Sequence, residues 1–371
     1  MGLGVKAGIN RMAQAIAALF TTRPLGIFRT LPKTILGTIV LVSLALGLGG
    51  CGGADLPWEQ ASSPQEVTVT LDPVAQVRQV YHALGKTDVP LHPQRVVALG
   101  NLPLESALVL GLTPVGAAPD SFAGNPGQFP SYWPAEALEG VAYVGDEEQP
   151  NLERLVNLQP DLILGLYPVH GGIYGQLSQI APTVLYPVFD GKSFVPWQQA
   201  LGDYGRILGR EDEATATIAA YDDRIAQWQA TAPPGWQGSP GERREVSVVR
   251  FMPGQLRVYL AGSFAGRVLQ DLGLSRPPSQ SALGFFDRIS LERLDEADGD
   301  VMFLLQSDPK AVLYGELSQT PLWQSLRAVQ GGQVFPVDYD YWLSEGPIAA
   351  DRLLDDVFTA LSGPGLPPDR D

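Results

Sequence analysis

Two arginines, Arg250 and Arg257, flank a strand-loop in "VVRFMPGQLRVYL". A guanidinium is a planar fork of charged donors that suits carboxylate, hydroxamate or catecholate oxygens; the competing account of each is an ordinary surface ion pair. Position favours a ligand. Beyond residue 50 the chain holds only three lysines, Lys86, Lys192 and Lys310, so positive charge in a cleft has to come mostly from arginine. Loops expected after strand ends carry Tyr167, Tyr174, Phe251, Tyr259, Tyr339, Tyr341 and Trp342. These offer apolar faces and phenolic donors to a chelate of nanometre size, unless they only cover loop interiors. His170, in "YPVHGGIYG", is placed in the same class of loop. The chemistry these types can perform together is recognition of an oxygen-rich, partly apolar ligand.

Other chemistries find less support. The "HGG" at His170 echoes an esterase oxyanion loop, but no G-x-S-x-G follows to supply a nucleophile, so an extracytoplasmic hydrolase is the weaker reading. Direct metal ligation needs clustered histidines and carboxylates. The chain has three histidines, two of which, His82 and His92, precede the first clear strand, so no direct metal site is expected. The G-x-G-x-x-G of "GLGGCG" has no strand before it and carries no nucleotide argument.

A second pattern is a repeated phrase. "NLERLVNLQPDLIL" begins at Asn151 and "SLERLDEADGDVMFL" at Ser290, in register throughout, which puts Glu153 and Glu292 at the same place in each. Asn151 and Ser290 read as helix N-caps, Pro160 and Gly299 as stops, and the apolar runs that follow as buried parallel strands. A carboxylate in a first helical turn also complements the helix dipole without any partner.

The elements that must hold these residues make an α/β chain. Residues 1–50 contain Lys6, Arg11, Arg23, Arg29 and Lys33 and no acid, and the apolar stretch "TILGTIVLVSLALGL" is too short for a full membrane span. It reads as a secretory signal ending in "LGGC", which resembles a lipobox with Cys51, the only cysteine, as the lipidated residue. Loss of those five positive charges takes the net charge from −15 to −20. Such acidity argues against nucleic acid and against electrostatic adhesion to anionic lipid, and at long range favours neutral or cationic ligands. Residues 51–93 form a tether and lead-in, with 67–83 ambiguous between strand and helix. Strand and helix signals then alternate over a first lobe at about 94–190, a helical connection at about 193–231 and a second lobe at about 245–366. Within the connection, Ala214, Ile218, Tyr221, Ile225 and Trp228 recur at helical spacing, which predicts one helix over about 211–230, some 30 Å long.

The blocks "PQRVVALGNLPLESALVLGLTPVGAA", "NLERLVNLQPDLILGL", "SFAGRVLQDLGLSRP", "ISLERLDEADGDVMFLL" and "PLWQSLRAVQGGQVFPVD" resemble, in order over 94–366, the iron-siderophore and cobalamin binding proteins (class III) of bacterial ABC importers. That resemblance implies two Rossmann-like lobes joined by a single long helix, with a ferric siderophore in the cleft between them and no covalent cofactor besides lipid. Its ligand-binding candidates are Arg250, Arg257, Tyr167, His170, Tyr259, Tyr341 and Trp342. It further implies a periplasmic, lipid-anchored monomer whose Glu153 and Glu292 dock on the two permease subunits. A cobalamin or haem receptor would share the same framework.

Overall fold

The first lobe is built on apolar runs that leave no solvent face. In the computed structural model, which describes residues 66–120, 127–189, 194–236, 243–252, 255–306 and 317–362, β4 (Val96–Leu99) is buried at every position. So are β5 (Gly116–Ala118) and β10 (Thr183–Pro187), while β9 (Leu162–Tyr167) is buried up to its last residue. With the short β6 (Ala142–Tyr143) they form a parallel sheet in the order β10-β9-β4-β5-β6. Strand order reverses between β4 and β9, so the crevice above their carboxyl ends is the place for a ligand. Helices α1 (Asn101–Val109), α2 (Leu152–Leu158) and α3 (Tyr174–Ile180) cover this sheet, and a small hairpin, β7 (Gly145–Asp146) with β8 (Gln149–Pro150), precedes α2.

The ambiguous stretch at 67–83 folds as two strands joined by a turn, with no helix. β1 (Thr68–Asp72), β2 (Val77–His82) and β3 (Gly85–Pro90) form an antiparallel meander. Asp72 Oδ1 accepts from the amides of Val74 and Ala75 to make the first turn. The meander packs against the edge of β10, where the Thr87 hydroxyl donates to the Thr183 carbonyl and Ala83 N–H to the Leu185 carbonyl, which covers an otherwise open strand edge. His82 is buried in this joint, with its pKa lowered to about 4 by burial.

Between the lobes run α4 (Trp197–Leu208) and α5 (Glu211–Thr231), the latter coinciding with the long helix expected from spacing. Ala214, Tyr221, Ile225 and Trp228 are its buried face, and Trp228 stacks on Phe358 with centroids 5.4 Å apart.

The second lobe is mixed rather than all parallel. β11 (Val246–Met252), β12 (Gln255–Tyr259), β13 (Phe286–Ile289), β14 (Val301–Gln306) and β15 (Val334–Asp338) lie in the order β13-β12-β11-β14-β15. β14 is parallel to β11 and β15, as the repeated phrase predicts, whereas β12 and β13 turn back antiparallel. The two copies differ at their helices. Asn151 Oδ1 caps α2 by accepting from Arg154 N–H at 3.0 Å. In the second copy Leu291–Ala297 winds as a 3₁₀ helix with a kink at Arg293, and Ser290 gives no side-chain cap to the backbone. Its hydroxyl is turned to the Glu292 carboxylate instead. The α-helices of this lobe are α6 (Phe264–Asp271), between β12 and β13, and, after β14, α7 (Pro321–Gln324), α8 (Arg327–Gln330), α9 (Tyr339–Leu343) and α10 (Pro347–Leu361).

All the described residues belong to one compact unit, Leu56–Asp371. A carboxylate ties its first and last helices. Glu105 of α1, fully buried, accepts through Oε1 from the Tyr132 hydroxyl (2.6 Å), Trp133 Nε1–H (3.0 Å) and the Ser344 hydroxyl (3.2 Å). Through Oε2 it accepts from the amides of Ile348 (2.8 Å) and Ala349 (2.9 Å), the first turn of α10. Glu105 thus supplies the side-chain cap that α10 lacks locally. Gly346 makes the approach possible, because a Cβ there would lie 2.2 Å from Oε2.

Candidate ligand-binding cleft

The hairpin β11/β12 sets the positive side of the cleft. Its register places Arg250 directly opposite Arg257, and Arg257 opposite Arg288 on β13, so three guanidinium-bearing side chains leave one face of the sheet in a row. One row lower on that face Tyr259 lies opposite Phe286, and below them Val246 and Val248 enter the core. The same face changes from apolar base to cationic top toward the carboxyl end of β11. None of the three arginines meets a carboxylate among the described residues. Like charges placed opposite each other on neighbouring strands are destabilising. Each guanidinium is instead seated on an aromatic ring: Arg250 lies 3.7 Å from the Tyr339 centroid, Arg257 4.4 Å from that of Phe286, and Arg288 5.6 Å from the same ring. Arg257 Nε is buried without a hydrogen-bond partner, which leaves a donor held ready for a ligand.

The first lobe contributes the opposite charge. Asp120 follows β5, its backbone clasped by Asn101, whose Oδ1 accepts from Asp120 N–H and whose Nδ2 donates to Asp120 O. Glu147 lies over Gly100 at the carboxyl end of β4, where a Cβ on Gly100 would meet Glu147 Oε2 at 2.6 Å, and its carboxylate accepts from the Asn101 backbone N–H. Burial, then the neighbouring Asp120 charge, push Glu147 up to about 8. Burial, then Glu148, Asp340 and Asp146, push Asp120 up to about 6. Tyr339 is the meeting point of the two sides: its ring carries Arg250, and its hydroxyl feels Asp120.

His170 belongs to this architecture in a different role from the one expected. It is buried, and its Nε2–H donates to the Glu147 carbonyl at 2.8 Å while Nδ1 accepts from Leu166 N–H at 2.9 Å. Burial lowers its pKa and keeps it neutral. It is a strut that fixes Glu147, with neither nitrogen left for a ligand.

A model of the family described as periplasmic binding protein matches residues 96–341. The chain belongs to that family. A probable siderophore-binding lipoprotein, YfiY, of Bacillus subtilis is 32% identical over 341 residues, covering 88% of this chain and 98% of the relative. The achromobactin-binding periplasmic protein of Dickeya dadantii is 32% identical over 276 residues, 71% of this chain and 85% of its own length. Among solved structures, Staphylococcus aureus SirA complexed with staphyloferrin B superposes with a TM-score of 0.64 at 30% identity, covering 76% of this chain and 98% of that one.

Within this periplasmic binding protein the remaining candidates separate. Arg250, Arg257 and Tyr259 stand together on the sheet face described above. Tyr167 ends β9, half-buried, with its ring against Gly171. Tyr341 and Trp342 are corrected: both donate to Asp356 Oδ2 on α10, at 2.6 and 2.8 Å, and Trp342 is fully buried with its ring 4.7 Å from that of Phe303. The helical turn of α9 directs Tyr339 to Arg250 and its two successors toward α10. Tyr174 packs edge-on to His82 and Phe251 edge-on to Trp323, both away from the arginine row. Glu153 and Glu292 are exposed in the first turns of their helices. Cys51 lies outside the described residues. Asp120, Glu147, Arg288 and Phe286 were not singled out from sequence. Pairing the strand signal in "FFDRIS" with β12 would have brought Arg288 beside Arg257.

Proposed function

We propose that this protein is an exported, lipid-anchored receptor that captures a ferric siderophore between its lobes and passes it to the permease of an ABC importer. The observation that carries the reading is the cross-strand row of Arg250, Arg257 and Arg288, free of carboxylate partners and backed by aromatic rings. Such a row provides charge-assisted hydrogen bonds to the oxygen shell of a ferric chelate, while iron arrives already wrapped and needs no protein ligand. Two relatives at 32% identity, a probable siderophore-binding lipoprotein and an achromobactin-binding protein, support the ligand class. Local charge here outweighs the long-range repulsion expected from the acidic surface, because screening confines that repulsion to about 8 Å at physiological salt. The work is binding, with the protein acting as a monomer anchored through Cys51.

Glu153 and Glu292 are the groups we assign to permease docking, one per lobe, since both lie exposed in equivalent first turns. The test has two arms. Tryptophan-fluorescence titration of the purified protein with ferric citrate, ferric hydroxamates, haem and cobalamin should give saturable quenching by a ferric chelate. Binding of haem or cobalamin alone would refute the siderophore reading. The double variant Glu153→Ala, Glu292→Ala should then bind its chelate normally yet fail to support iron uptake by cells, and normal uptake would refute docking.

A further inference from the structure

The junction of α9 and α10 is tied to the first lobe. Ser344, 1% exposed, follows the last residue of α9, and its hydroxyl donates to Glu105 Oε1 at 3.2 Å. The Tyr132 hydroxyl, another first-lobe donor to that carboxylate, lies 3.1 Å from Ser344 Oγ. Two residues earlier in the same helix are held mainly within the second lobe: Tyr341 and Trp342 donate to Asp356, and the Trp342 ring packs on Phe303. Tyr341 adds a ring contact to Tyr132, with centroids 5.6 Å apart. Because α9 has only five residues, Ser344 beyond one end and Tyr339 at the other are separated by about 7.5 Å at helical rise. Tyr339 carries the Arg250 guanidinium 3.7 Å from its ring centroid. On the other side of the tie, Glu105 lies one turn along α1 from Asn101, whose side chain clasps the Asp120 backbone at the first lobe's rim of the cleft. A single buried hydrogen bond thus joins the helix that forms one rim to the helix that seats an arginine on the other.

We infer that Ser344 is a positioning residue for ligand capture: its bond to Glu105 holds α9, and with it Tyr339 and the Arg250 guanidinium, at the span from the first lobe that a bound ferric chelate bridges. This deepens the siderophore reading and rests on it. Ser344 is almost wholly buried, so its action runs through α9 rather than through contact with the ligand. Its loss leaves Glu105 with four donors, Tyr132, Trp133 and the amides of Ile348 and Ala349, so α10 stays capped and the fold keeps its central carboxylate. What is lost is the hydrogen bond of the α9 end across the lobes. Charge-assisted hydrogen bonds weaken steeply with distance and angle, so a displaced α9 is felt at Arg250 as lost affinity.

The experiment is a double-mutant cycle on the intact protein, with ferric citrate and ferrioxamine B titrated by tryptophan fluorescence and the tighter of the two carried through the cycle. Ser344→Ala should weaken that probe about three- to tenfold, the range of coupling between residues that share one network. In an Arg250→Ala background the same change should cost less than about twofold, because the group through which Ser344 acts is gone. Ser247→Ala is the stability control. Ser247 is equally buried but on the opposite face of β11 from Arg250, where its hydroxyl donates to the Ala297 carbonyl and accepts from Gln280. Its loss should lower Tm and leave affinity within about twofold. Thermal melts establish that each variant is folded. Unchanged affinity in Ser344→Ala, an equal loss in the Arg250→Ala background, or an equal loss in Ser247→Ala would overturn the inference. A folded wild-type protein that binds neither probe nor any other ferric chelate would overturn the siderophore reading, and this inference with it.

Discussion

Removing one oxygen from the buried carboxylate of Glu105 tests whether the first and last helices are joined as described. In Glu105→Gln the amide nitrogen must face one of two groups of donors. Turned toward α10, it would oppose the Ile348 and Ala349 amides, two donors with no freedom to rotate. Turned the other way, it meets Tyr132, Trp133 and Ser344; the two hydroxyls can rotate to accept, but the indole N–H of Trp133 cannot. The cheaper orientation therefore orphans one buried donor, costing about 1–3 kcal/mol. Loss of negative charge at the N-terminus of α10 adds about 0.3–2 kcal/mol. The sum, about 1–5 kcal/mol, corresponds to a fall in Tm of about 2–20 °C at about 2–4 °C per kcal/mol, the scale for domains somewhat smaller than this one. Glu105→Ala leaves four of the five donors without an acceptor, since the Tyr132 hydroxyl can still donate to Ser344 Oγ at 3.1 Å, and at about 1–3 kcal/mol for each the loss reaches the range of total domain stability. That variant should not accumulate as folded protein. The assay is thermal denaturation followed by circular dichroism at pH 7. A Glu105→Gln melt within about 1 °C of wild type would refute the bonding scheme.

Arg257→Ala should weaken binding of the ferric ligand at least about tenfold, the equivalent of 1.4 kcal/mol. It should also leave or slightly raise Tm, because it removes the middle member of a like-charged row; tight binding with unchanged affinity would place the ligand elsewhere. Glu147 has a folded-state pKa raised from 4.5 to about 8. The unfolded chain therefore ionises this group first, and its contribution to stability, full below pH 4.5, is lost as pH rises toward 8. Denaturant titrations of wild type and Glu147→Gln should show the variant losing less stability across that window, and parallel pH profiles would refute the assignment. Cys51→Ser should move the protein out of the detergent phase on partitioning, and equal partitioning of the two would refute lipidation.

What sequence spacing revealed and what it hid follow from the range of the interactions concerned. The long helix α5 was legible because its buried residues recur within one element, and β9 and β14 because short apolar runs after Pro160 and Gly299 leave little choice but burial on both faces. The meander at 68–90 was hidden because its strands are half-exposed and its stability comes from docking on β10, over a hundred residues distant at the contact of His82 with Leu185. The site divides in the same way. Arg250 and Arg257 could be chosen because both flank one strand-loop, a feature local in sequence; that they face each other across β11 and β12 required the pairing itself. Residue type alone could not separate Tyr339 from Tyr341 and Trp342, because the three differ only in which way one turn of α9 points them. Nor could it show that His170 serves Glu147, or that Glu105 serves a helix more than two hundred residues later. Charge was the most misleading local signal. The net −20 of the exported chain suggests a ligand that is neutral or positive, yet three arginines whose neighbours in sequence are apolar or acidic become a cationic row once three strands pair. The acids opposite them are likewise ordinary loop residues until β4 and β5 bring Asp120 and Glu147 over one crevice. The cationic face of the cleft is therefore a property of strand order: residues that no local pattern groups come to share one face only when β11, β12 and β13 pair.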